Sequence, residues 1–252
     1  MPLSSWVTRL VIANAVFFLL QMANPQIERL LMFVPAMALE RPWTIVTYMF
    51  LHGGFTHLLF NMLGLFFFGP RLELELGERQ FLLLYFLSGI SGAALSLFLS
   101  PTTAIIGASG GVYGVFLGFA YFWPRAQIYI WGVLPVEARW LVALMTLFSL
   151  FGGAGGSTDG TAHFAHLGGF LGGFIYLKWF VKKQGLAPAA APPPVAAPSG
   201  VDLKRWATIP REGLHPVNRE ELERITEKLK TAGPASLTPN EIVFLDRFSA
   251  RS

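Results

Sequence analysis

Six stretches of the chain are dominated by apolar residues: about 7–23, 55–70, 80–99, 108–123, 139–151 and 161–181. They predict membrane-spanning helices, for which a full crossing takes roughly 20 residues. The second, fourth and fifth runs fall short of that. The fourth would reach only about 24 Å at 1.5 Å per residue. Short spans thin the bilayer or begin below its surface, with water or protein above them. The predicted fold is all-α, a polytopic six-transmembrane-helix bundle over residues 1–183. A Pro/Ala-rich linker is expected over 184–217 and a short two-helix tail over 218–252.

The tail carries its own punctuation. Asn218 followed by Glu221 reads as a helix start, Leu222, Ile225 and Leu229 form an apolar stripe, and Gly233 ends it. Thr238-Pro239-Asn240-Glu241 reads as a capping box with proline at the first helical position. Helices this small are not expected to fold alone. They could pair with each other, a membrane surface, a second copy (self-association) or a cytoplasmic partner, or form a disordered appendage.

Composition strengthens the membrane reading. Charged residues make up 13% of the 252, about half the share in soluble domains. The net charge of +4 is not gathered into one stripe, so no nucleic-acid surface is predicted. With no cysteine, disulfides, thiolate metal sites and a cysteine nucleophile are excluded. The first run lacks a small-residue cleavage site and is read as a retained helix. Lys and Arg set the orientation. Arg9, Arg71, Arg79, Arg125, Arg139, Lys178, Lys182 and Lys183 fall on one side, against Arg29 and Arg41 on the other. Both termini are therefore expected in the cytoplasm of a cell whose bacterial inner (cytoplasmic) membrane holds the chain.

Polar residues inside spans are functional suspects. With six crossings, the second, fourth and sixth runs all travel inward from the outer face. His57 and Asn61 lie early in the second, Ser109 opens the fourth, and His166 sits near the start of the sixth. All therefore share the outer half of the membrane. A serine is a weak nucleophile until a base takes its proton, and histidine is the usual base. At a helix start, Ser109 would have unpartnered backbone N–H groups beside it, suited to an oxyanion. Tyr113, one turn on, could pack against an imidazole. Gly110, Gly114 and Gly118 form one small-residue stripe, and Gly169 and Gly173 another, which would let two helices approach closely.

Other readings of these residues stand beside that one. The glycines could serve packing alone, and Ser109 could be a plain N-cap. Asn61 could be interhelical glue or an oxyanion donor. His163 and His166 could bind zinc with His57, although no E-x-x-H or H-E-x-x-H pattern accompanies them. Asp159 could orient the base as a third triad member or be a solvated loop residue. A six-span transporter would call for an internal repeat and midplane sites. No such repeat is evident.

Three separated motifs resemble those of rhomboid intramembrane serine proteases: His52-Gly-Gly-Phe-Thr-His57-Leu-Leu-Phe-Asn61, Gly107-x-Ser109-Gly110 and Ala165-His166-x-x-Gly169-x-x-x-Gly173. The resemblance covers about residues 5–183. It implies Ser109 as nucleophile and His166 as base, with no required acid, metal or cofactor. It also implies Asn61, His57 and the Ser109 backbone N–H around the oxyanion, and Tyr113 in support of His166. Family substrates are membrane proteins cut in or beside a transmembrane helix. The loop over 24–44 would lie partly in the outer leaflet, though it lacks the Trp-Arg pair many members carry there. A catalytically silent relative that binds membrane clients is the alternative.

Overall fold

In the computed structural model, which describes residues 5–130, 132–154, 162–184, 200–210 and 216–249, the apolar runs become helices. They are α1 (Ser5–Ala23), α4 (Phe55–Leu76), α5 (Glu78–Leu99), α6 (Ser109–Phe122), α7 (Ala138–Ala154) and α8 (His163–Gln184). Two short helices, α2 (Gln26–Leu31) and α3 (Thr44–Thr47), lie between α1 and α4. The chain is an integral membrane protein, a mostly helical membrane-spanning bundle. By length and composition α1 and α5 can each cross a bilayer, and a third crossing is available if Thr44–Phe50 and Phe55–Leu76, bent by 95°, are taken as one broken span. Helices α6 and α7 are shorter, at 14 and 17 residues.

The second run proves longer than its apolar stretch, because α4 continues past Pro70. A mid-helix proline costs about 3 kcal/mol, so packing must outweigh it. Leu72 is fully buried there, and the Glu73 carboxylate accepts the Trp6 N–H at 3.2 Å and the Val7 N–H at 3.1 Å. Those donors open α1 and have no partner within their own helix. One buried acid thus caps a neighbouring helix and ties two elements together.

The loop before α4 is held by a similar device. The carbonyls of Arg29, Leu30 and Leu31, at the end of α2, accept in turn from Arg41 Nη1 (3.0 Å), Trp43 Nε1 (3.1 Å) and Thr47 Oγ1 (3.0 Å). Loop anchoring here rests on Arg41 and Trp43, two positions apart. Farther on, Phe33 bridges Ile105 in an antiparallel pair, bringing this loop against the segment that leads into α6.

One element departs from the all-α expectation. Strands β1 (Gln127–Ile130) and β2 (Leu134–Glu137) form an antiparallel hairpin between α6 and α7, pairing Ile128 with Val136 and Ile130 with Leu134. Its turn contains Gly132 at a φ of +73°, where glycine is favoured. The sequence hides it because its short alternation lies between two apolar runs.

The chain divides into two compact units, Met1–Ala189 and Ala190–Ser252. In the second, the expected two-helix tail has a third helix. Helix α9 (Gly200–Ala207) lies in the stretch read as linker and precedes α10 (Pro216–Ala232) and α11 (Pro239–Phe248). Trp206 and Ile209 bury themselves with Leu222, Ile225, Leu237 and Leu245, which explains why a helix is present before residue 218. The capping box at Thr238 is present: its side chain accepts from the Glu241 N–H, and the Glu241 carboxylate accepts the Thr238 N–H at 2.7 Å. That carboxylate also takes Lys228 Nζ and Arg224 Nη2, each at 2.8 Å.

Candidate active site

Helix α6 begins on a constrained turn. Gly107 has a φ of +123°, and a Cβ added there would lie 2.7 Å from His57 Cε1 and Nε2. Both the torsion and the space demand glycine. Its N–H donates to the Tyr48 carbonyl at 2.9 Å, fixing where α6 starts. Ala108 holds the N-cap position, and no side chain caps the helix. The first backbone N–H groups of α6 thus have no intrahelical acceptor. The Ser109 hydroxyl points across to α8, where Oγ lies 2.8 Å from His166 Nε2.

Such a short reach across helices requires near contact of their backbones. Helix α8 packs chiefly on α5 and α6. A Cβ on Gly169 would overlap the Gly110 carbonyl, and one on Gly173 would lie 3.2 Å from Gly114 Cα. His166 itself is 9% exposed. The Tyr113 ring stacks on it with centroids 4.3 Å apart and 21° between planes. Phe170 packs on Tyr113 in turn. The imidazole is held on its face by one helix and by its backbone on another.

Helix α4 supplies the opposite wall. His57 Nδ1 accepts the Gly53 N–H at 3.3 Å, and Asn61 Nδ2 donates to the His57 carbonyl at 2.8 Å. An imidazole that accepts at Nδ1 carries its proton on Nε2. His57 is therefore a donor on the side where Gly107 and Ser109 lie. Asn61 keeps a second amide N–H for another acceptor.

These groups line one cavity of about 550 Å³, which contains Ser109, His166, Tyr113, His57 and Asn61 among apolar neighbours including Phe116 and Met145. Among the described lining residues none is a carboxylate. Of the positions singled out in the sequence, Gly107, Gly110, Gly169 and Gly173 form the close-packed frame behind the cavity. His163 lies elsewhere. Its ring is buried against Gly152 and borders a separate cavity of about 260 Å³ with Ser96, Ser100 and Thr103. Its centroid is 6.4 Å from that of His166. Among the described residues no three His, Asp or Glu side chains converge as metal ligands. Asp159 lies outside the described residues.

Two supporting residues escaped the sequence reading. Tyr48, in the short helical turn before α4, accepts the Gly107 N–H and donates its hydroxyl to the Gly89 carbonyl at 2.8 Å. Gln21 clamps His52 with both ends of its amide, accepting the His52 N–H at 2.9 Å and donating to its carbonyl at 3.3 Å. A glutamine near the end of the first apolar run was the available signal, since a buried amide requires partners.

Residues 39–183 match the family model for the Rhomboid domain. Over 137 residues the chain is 37% identical to RHOMBOID-like protein 4 of Arabidopsis thaliana, covering 54% of this chain and 33% of that protein. It is 31% identical over 156 residues to Rhomboid-like protease 3 of Toxoplasma gondii, covering 60% of this chain and 56% of that protein. To YdcA of Bacillus subtilis it is 35% identical over 143 residues, covering 56% of this chain and 69% of that protein. The chain thus spans from a third to just over half of the length of the plant and Toxoplasma relatives.

Proposed function

The chain belongs to the rhomboid family, and from that premise we propose that it is an intramembrane serine endopeptidase. It hydrolyses peptide bonds in or beside transmembrane segments of membrane-protein substrates through Ser109 and His166. The observation that carries this reading is the 2.8 Å separation of Ser109 Oγ from His166 Nε2.

The chemistry follows from the groups around that contact. His166 Nε2 takes the Ser109 proton as Oγ attacks the scissile carbonyl. The oxyanion accepts hydrogen bonds from the Ser109 backbone N–H at the uncapped helix start, from Asn61 Nδ2 and from His57 Nε2. The imidazolium gains from the Tyr113 ring face, an interaction of about 0.5–2 kcal/mol. It then delivers its proton to the leaving amine, and water reverses the sequence on the acyl-enzyme.

In this reading α1, α4, α5, α6, α7 and α8 are the six spans, with both termini and the Ala190–Ser252 unit in the cytoplasm. The site's depth follows from the length of α6. Its 14 residues cover about 21 Å of a hydrocarbon core about 30 Å thick. A helix that reaches one interface therefore starts about 9 Å below the other, and Ser109 opens a recessed site. Cleavage of a transmembrane reporter in proteoliposomes tests the proposal. Wild-type protein should cut it and Ser109→Ala should not, whereas equal cleavage by both would refute the assignment.

A further inference from the structure

We propose that the β1–β2 hairpin is a membrane-surface anchor that seats on anionic phospholipid headgroups, at the face opposite the Ser109 end of α6. This rests on the membrane placement of the bundle and is independent of the hydrolase reading. The hairpin follows the C-terminal end of α6, and two hydrogen bonds close its base: Ala138 N–H to the Ala126 carbonyl (2.9 Å) and Arg139 N–H to the Pro124 carbonyl (3.1 Å). Ile128 packs on the Phe119, Ala120 and Ala138 cluster, so the base belongs to the protein. The outer half does not. Val133 is 80% exposed, and Tyr129, Leu134 and the adjoining Trp140 are each about 60% exposed.

A two-stranded hairpin is marginal in water, and an exposed apolar tip on such a ribbon is an aggregation hazard. Lipid removes that hazard, with a limit on depth. Both strand edges carry unpaired backbone groups, which hydrocarbon cannot satisfy. The hairpin must therefore rest at headgroup level. The charges around it suit that position. Arg71 lies 4.0 Å over the Trp123 ring and Arg139 5.2 Å over the Trp140 ring, with Arg125 exposed between them in sequence. Glu137 is the acid of the hairpin, and it pairs with Arg139 at 2.6 Å. Tryptophan and arginine together mark membrane interfaces, and in the hairpin and its flanks Arg125 and Arg139 outnumber the single acid Glu137, which favours an anionic leaflet. The anchor fixes the inner end of α6, whose opposite end carries Ser109.

The absence of cysteine allows a clean test on the full chain. Val133→Cys is labelled with bimane and reconstituted in phosphatidylcholine bilayers containing either phosphatidylcholine or phosphatidylglycerol brominated high on the acyl chain. Tyr129→Cys serves as a second reporter on the other strand. Both lipids should quench both labels, with phosphatidylglycerol bound several-fold more tightly. Replacing Arg125 and Arg139 by Gln should abolish that preference, each charge near the surface contributing up to about fivefold. Absence of quenching at both positions would overturn the anchor, because the tip would then lie in water or against protein. Equal quenching by the two lipids, unchanged by the arginine substitutions, would overturn its anionic selectivity.

Discussion

Two helix starts in this molecule are built in opposite ways. At α11, Thr238 and Glu241 close a reciprocal capping box, and Arg224 and Lys228 saturate the same carboxylate. At α6, Ala108 provides no side-chain cap, and the adjacent serine turns its oxygen toward a histidine on another helix. Capping is worth about 1 kcal/mol, so leaving it out has a cost. The difference teaches that a helix start closed on itself serves the fold, whereas one left open is available to a developing negative charge. The α6 start is held by its surroundings instead: the Gly107 turn, the Tyr48 carbonyl, and glycine contacts with α8.

The strongest way to break this comparison is to remove the open end's chemistry. Ser109→Ala and His166→Ala should each lower cleavage of a transmembrane reporter by about 10⁴-fold or more, while thermal unfolding in detergent changes little. Substitutions behind the site should act through geometry. Gly169→Leu forces α8 off the Gly110 carbonyl and should cost about 1–3 kcal/mol, read as a lower unfolding temperature. Cleavage should fall about 100-fold, because an error of about 1 Å in a reacting pair has that effect. Retained activity would show that the backbone contact does not set the Ser–His distance.

These positions also show what the sequence made legible. The spacing of the apolar runs assigned His57, Asn61, Ser109 and His166 to one side of the membrane, and the cavity contains all four. Motifs with a local cause, such as the Thr238 box, were readable because their partners are three residues apart. What depended on distant packing was hidden. The extension of α4 past Pro70 rests on Glu73 meeting the start of α1. The helix at Gly200–Ala207 rests on Trp206 and Ile209 finding a core. Tyr48 looked like any aromatic residue until its carbonyl met Gly107.

Smaller effects sharpen the contrast. Tyr113→Leu should remove the stacked ring from His166 and slow cleavage about tenfold. An unchanged rate would make Tyr113 a packing residue only. At the closed end, burial alone would raise the Glu241 pKa, but hydrogen bonds from Lys228, the Thr238 N–H and Arg224 outweigh it and hold the carboxyl down at about 2. A depressed acid contributes stability above its unfolded value, about 4.3, and loses it as the pH falls through the folded one. Pepsin cleavage within 216–249 of the full chain should therefore rise as the pH drops toward 2. In Glu241→Gln the segment should be sensitive already at pH about 4, with Ser109 reactivity at neutral pH untouched.

The most direct test of the central claim is covalent. A fluorophosphonate probe should modify the membrane-reconstituted protein at Ser109 alone, as located by peptide mass spectrometry, and His166→Ala should suppress that adduct. Modification at another serine, or an undiminished Ser109 adduct without His166, would contradict the account.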